Sequence, residues 1–75
     1  MRTDPAKGST PFGDRVKKAR KAKRMTTAQL AAECGIHYSH VSAWENRGQK
    51  PSFYTLIAIA QSLGCSLDWL CGLED

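Results

Sequence analysis

Residues 26–45, Thr-Thr-Ala-Gln-Leu-Ala-Ala-Glu-Cys-Gly-Ile-His-Tyr-Ser-His-Val-Ser-Ala-Trp-Glu, constrain the fold more than any other stretch of this chain. Thr26 stands where an N-cap belongs and Gln29 follows three residues later, the arrangement of a capping box. Leu30 and Ala31 supply an apolar face. Gly35 falls where a short helix must stop, because glycine accepts the left-handed conformation of a C-terminal cap. Ile36, Val41 and Trp44 then resume apolar positions at helical spacing. Two helices this short, joined by so tight a turn, cross steeply instead of lying antiparallel. The pattern predicts a helix-turn-helix, whose second helix has the dimensions to enter a major groove of DNA.

The rest of the chain reads as helices around that unit. Residues 1–9 show no periodicity and are rich in small and polar types, which predicts a flexible arm ahead of a domain over residues 10–75. Thr10-Pro11 resembles a cap followed by proline at the first helical position. A first helix is expected from Pro11 to Arg24, with Phe12, Val16 and Ala19 inward. The second covers Thr27 to Cys34 and the third Tyr38 to Asn46. The polar, Gly- and Pro-containing run 46–51 is a loop. Ser52 caps a fourth helix, Phe53 to Leu63, with Leu56, Ile57, Ile59, Ala60 and Leu63 as its apolar stripe. Gly64 ends it, and Ser66 caps a short fifth helix, Leu67 to Cys71, anchored by Leu67, Trp69 and Leu70. No strand signal or repeat interrupts this all-α reading.

Seventy-five residues make one small domain, with 11 Lys+Arg against 7 Asp+Glu and a formal charge of +4. Such an excess favours polyanionic partners. It is concentrated in Arg15, Lys17, Lys18, Arg20, Lys21, Lys23 and Arg24, read mainly as a solvated face that adds long-range attraction toward nucleic acid. Cys34, Cys65 and Cys71 are odd in number and lack paired metal spacing, which suggests reduced thiols in a cytoplasm. No apolar run approaches the roughly 18 residues a membrane span needs.

On the third helix, Val41 and Trp44 share the inward side at 100° per residue, and Tyr38, Ser39, Ser42 and Ala43 point away together. By residue type alone these four are either ordinary exposed residues or a reading surface. Tyr38 and Ser39 offer hydrogen bonds to base edges, and Ala43 an apolar contact. His37, at the turn, either caps the helix or touches a base or phosphate. Cys34, His37 and His40 form a C-x2-H-x2-H series, but they straddle a helix end and a turn without a fourth ligand nearby, so no metal or other cofactor is assigned. No oxyanion donor or orienting carboxylate accompanies Cys34 and His37, so no catalytic role is assigned either. Trp44 and Trp69 read as core or interface residues.

Arg20, the run Thr27-Ala28-Gln29-Leu30-Ala31, Gly35, Val41, Trp44-Glu45, Pro51-Ser52, the Leu56-to-Leu63 segment and Gly64-Cys65-Ser66-Leu67-Asp68-Trp69-Leu70 together resemble the Cro/phage-repressor (XRE-like) helix-turn-helix regulators. The resemblance covers residues 12–71. It implies a five-helix repressor-like domain and a transcriptional regulator that binds double-stranded DNA by sequence, most simply as a repressor. The third helix would then read bases through Tyr38, Ser39, Ser42, Ala43 and His37. Thr27, Asn46, Arg47, Gln49, Lys50 and Ser52 would hold phosphates, aided by the free N–H groups of helix N-termini. Arg20 and Glu45 correspond to an internal ion pair that orients the third helix. The family also implies a bacterial or phage-infected cytoplasm and dimeric binding, here to a palindromic operator. The C-terminal Leu67, Trp69, Leu70 and Leu73 are the candidate interface of a dimer weak in free solution. Three positions depart from the family pattern: His37 replaces the usual Ser or Thr cap, Gly48 lies one residue late, and Cys65 replaces an aliphatic residue. The competing reading is a protein-interaction module on the same fold, such as an antitoxin. A redox role for the cysteines ranks lower.

Overall fold

The computed structural model describes residues 11–74, so the expected arm at 1–9 and the Thr10 cap lie outside the described residues. Five helices follow one another: α1 (Pro11–Ala22), α2 (Thr27–Cys34), α3 (Tyr38–Asn46), α4 (Phe53–Leu63) and α5 (Leu67–Leu70), with no strand among the described residues.

The caps explain the boundaries. Thr26 accepts from the Gln29 N–H at 3.0 Å, and the Gln29 side chain accepts from the Thr26 N–H at 2.8 Å, which closes the capping box. Gly35 adopts φ 71° and sends its N–H back to the last carbonyls of α2. Ser52 and Ser66 cap α4 and α5 by accepting from the N–H groups of Thr55 and Trp69. The first helix is shorter than its sequence suggests. Arg24 takes φ 58°, its N–H bonds to the Lys21 carbonyl, and the Met25 N–H bonds to the Arg20 carbonyl. This is a Schellman ending, built with an arginine where glycine is usual. Helix propensity favours continuing through Lys23 and Arg24, but the turn that delivers Thr26 to its cap overrides it. Cys71 likewise caps α5 and does not extend it.

Each helix contributes one fully enclosed aliphatic residue: Val16, Leu30, Val41, Ile59 and Leu70. Burial of such a side chain stabilises the fold by about 1.5–3 kcal/mol. Phe12 meets Trp44 edge-on, with ring centroids 6.1 Å apart, and joins α1 to α3 on the same core. Of the expected α4 stripe, Ile59, Ala60 and Leu63 are buried, and Leu56 and Ile57 are half-buried.

One glycine sets the closeness of α1 to α3. A Cβ on Gly13 would lie 2.1 Å from the Trp44 carbonyl oxygen, so the two backbones touch where only hydrogen fits. The sequence signal was a glycine early in an otherwise good helix, where it costs stability unless a close approach requires it.

Candidate nucleic-acid interface

α3 is held from its inner side. Arg20 reaches across from α1 and forms a two-pronged bond with Glu45, Nε to Oε2 at 2.8 Å and Nη2 to Oε1 at 3.0 Å. The remaining Arg20 nitrogen donates to the Met25 carbonyl at 2.7 Å. Arg20 is 9% and Glu45 3% exposed, so the pair is a buried one, and its hydrogen bonds to Glu45 raise the arginine's pKa further. The expected ion pair is thus present, and it faces the interior.

At the N-terminus of α3, the His37 ring is the cap. Its Nδ1 accepts from the Ser39 N–H at 3.2 Å and lies 2.8 Å from Ser39 Oγ. The Tyr38 ring stacks on the imidazole, with centroids 4.4 Å apart and planes 29° from parallel. His37, Tyr38 and Ser39 are all exposed, and Ser42 is half-buried. Ser42 Oγ also accepts from Asn46 Nδ2 at 3.3 Å.

Ala43 does not belong to the outward set. It is 2% exposed and therefore has no surface to offer a base. The helical angle alone places it opposite Val41, but the chain turns at Gly48, with φ 70°. The N–H groups of Arg47 and Gln49 then return to the Ala43 carbonyl at 2.9 and 3.3 Å. These bonds hold the start of the loop to the end of α3, and Ala43 is enclosed despite its helical angle.

The loop itself is exposed at Asn46, Arg47, Gln49 and Lys50, and Ser52 follows at the start of α4. Thr27 is half-buried at the first turn of α2. Asn46, Arg47, Gln49 and Lys50 thus follow α3 directly, and Thr27 and Ser52 stand at the starts of α2 and α4. His40 lines a cleft between α3 and α4 with Trp44, Gln49, Lys50 and Thr55. Burial pushes the Cys34 thiol pKa up, against a smaller opposing effect of Ser62 on α4. No group of three or more metal-ligating side chains occurs among the described residues, and no helix there is long and apolar enough to cross a membrane.

Arg15 leaves the basic run in which the sequence placed it. Its Nη1 donates to the carbonyls of Trp69, at 2.8 Å, and Glu74, and its guanidinium lies 4.9 Å from the centroid of the Trp69 ring. Ser66 Oγ donates to the Glu74 carboxylate nearby. Arg15 therefore fastens the C-terminal segment to α1. Of the candidate apolar patch, Leu70 is wholly in the core and Trp69 half-buried, whereas Leu67 is 37% and Leu73 77% exposed. Sequence reasoning did not single out Phe53 and Tyr54, an exposed edge-to-face pair 5.6 Å apart at the start of α4. Their only sequence signal was two adjacent aromatics ahead of the apolar stripe.

Comparison with known proteins agrees with this architecture. The model of the helix-turn-helix family matches residues 16–70. The chain is similar to the HTH-type transcriptional regulator YobD of Bacillus subtilis, 34% identical over 64 residues that cover 85% of this chain and 57% of the relative. Among solved structures it is similar to the P22 c2 repressor in complex with a synthetic operator, with TM-score 0.81 and 27% identity over 88% of this chain and all of that one. It is also similar to hydroxypropylphosphonic acid epoxidase from S. wedmorenis, with TM-score 0.73 and 35% identity, but that match covers 34% of the enzyme. The chain spans about half the length of the curated relatives it matches.

Proposed function

The chain belongs to the helix-turn-helix family, and on that premise we propose that it is a transcriptional regulator that binds double-stranded DNA by sequence, most simply a repressor that occludes a promoter. The observation that carries this reading is the exposed His37-Tyr38-Ser39 end of a helix whose opposite side, Val41, Trp44 and Glu45, is buried and bonded to α1. That end enters the major groove, with Tyr38, Ser39, His37 and the half-buried Ser42 toward the bases. Thr27, Asn46, Arg47, Gln49, Lys50 and Ser52 face the flanking phosphates, where helix N-termini and cations favour anions. The protein acts by binding and not by catalysis. The likeness to a repressor on its operator favours a DNA partner over a protein-sequestering role.

One recognition helix reads only a few base pairs. Two copies about a two-fold axis would set their helices in successive major grooves, about 34 Å apart, on a palindromic operator in the cytoplasm of a bacterium. Leu67 and Leu73, with the half-buried Trp69, supply the apolar surface for that contact.

Selection of bound duplexes from a random pool tests the reading. A consensus of two inverted half-sites is expected, and Tyr38→Ala should change preference at a few positions, by about 1–3 kcal/mol. A Tyr38→Ala variant with an unaltered consensus and affinity would remove α3 as the reading helix.

A further inference from the structure

His37, Tyr38 and Ser39 form one bonded and stacked unit, and its internal bonds fix what it has left to offer a base. The Ser39 N–H points at His37 Nδ1 from 3.2 Å, so Nδ1 presents a lone pair. A neutral imidazole carries a single N–H, which therefore sits on Nε2. Ser39 Oγ lies 2.8 Å from the same Nδ1. Two lone pairs do not bond, so the hydroxyl gives its only proton to the ring, and its oxygen keeps two acceptor sites. The Tyr38 ring, stacked at 4.4 Å, holds the imidazole in place.

We infer that this unit reads DNA with a fixed polarity. Ser39 Oγ serves only as an acceptor, and His37 Nε2–H only as a donor. A serine hydroxyl usually suits either kind of base edge, which makes it a poor discriminator. Here the imidazole removes the donor option. Ser39 is then a specificity determinant for a base with an exocyclic amine in the major groove, adenine N6 or cytosine N4. On that strand it rejects guanine and thymine, which present only acceptors there. His37 is the positioning residue that imposes this choice, and its outward Nε2–H is left for a DNA acceptor. The inference rests on the DNA-binding reading above and names the bases that its central contact selects.

The test combines nitrogen NMR of His37 in the free protein with site selection by the parent, Ser39→Ala and His37→Ser proteins. The spectra should show Nε2 protonated and Nδ1 bare. The position whose preference Ser39→Ala erases should carry adenine or cytosine in the parent's consensus, favoured about tenfold over guanine and thymine on the same strand. His37→Ser keeps a side-chain oxygen to cap α3 but releases the Ser39 proton, so guanine and thymine should become acceptable at that position. A proton on Nδ1 overturns the inference whatever the protein binds. So does a parent consensus with guanine or thymine at the Ser39 position, a Ser39→Ala consensus identical to the parent's, or a His37→Ser consensus just as strict. A parent that selects no sequence at all refutes the DNA-binding reading, and this inference falls with it.

Discussion

Replacing Gly13 by alanine adds one methyl group at the place where α1 and α3 touch. The new Cβ would stand 2.1 Å from the Trp44 carbonyl oxygen, 3.1 Å from its carbonyl carbon and 3.3 Å from the Glu45 Cα. A comfortable carbon–oxygen contact is about 3.3 Å, so the helices must part by roughly 1.2 Å at that point. All three atoms are backbone, and no rotamer change relieves the clash. Parting α1 from α3 also loosens the Phe12–Trp44 edge contact and stretches the Arg20–Glu45 fork, both of which span the same two helices.

Overpacking by a methylene-sized group costs about 1–3 kcal/mol, and a rigid backbone obstacle puts this site at the upper end. Alanine's better helix propensity returns at most about 1 kcal/mol, less in a first turn. The net loss is therefore about 2 kcal/mol. A domain of 75 residues has a total stability of about 4–11 kcal/mol, so the loss is large on that scale. Urea denaturation followed by the fluorescence of Trp44 and Trp69 measures it directly, as a fall in midpoint at unchanged slope. A Gly13→Ala protein within about 0.5 kcal/mol of the parent, or more stable, would refute the close approach and the placement of α3 derived from it.

Two further outcomes follow from the same geometry. Arg20→Ala and Glu45→Ala should each cost about 3–5 kcal/mol by stranding a buried charge, and the double variant should cost less than the sum; strict additivity in urea melts would contradict the pairing. Arg47→Ala and Lys50→Ala should weaken binding to all duplexes alike and lower the salt slope by about one unit each, and a changed base preference with an unchanged slope would remove them from the phosphates.

The sequence revealed those parts of the fold that local chemistry decides. Thr26 with Gln29, Gly35, Ser52, Gly64 and Ser66 fix the limits of α2, α4 and α5 to within a residue, because a cap bonds to backbone two to four positions away. The Arg20–Glu45 pair was legible only through family likeness, since nothing local joins residues 25 positions apart. Arg15 was misplaced for the same reason: its partners on Trp69 and Glu74 lie more than 50 positions away, and the Lys17, Lys18, Arg20 run that follows it gives no sign of them. Ala43 shows the limit of helical periodicity. The angle gives the direction of a side chain from its axis, but it does not tell what the rest of the chain packs against that side. Arg24 shows the converse, a helix end set by the needs of the next turn against the preference of its own residues.

These contacts divide the labour around α3. Gly13 sets how close the helix lies to α1, Arg20 holds Glu45, and the loop beyond Gly48 bonds to the Ala43 carbonyl. All of these act on the middle and C-terminal end of the helix, and none involves a side chain that faces outward. The N-terminal turn is organised separately, by the His37 cap and the ring stack. A substitution in the first set therefore moves the whole helix and lowers binding to every sequence together with stability. One in the second set that keeps the cap leaves the domain's stability nearly intact and changes which base is preferred. Stability and consensus, measured on the same variants, separate the two groups. A Ser39 variant that lost as much stability as Gly13→Ala would show that the reading end is part of the support after all.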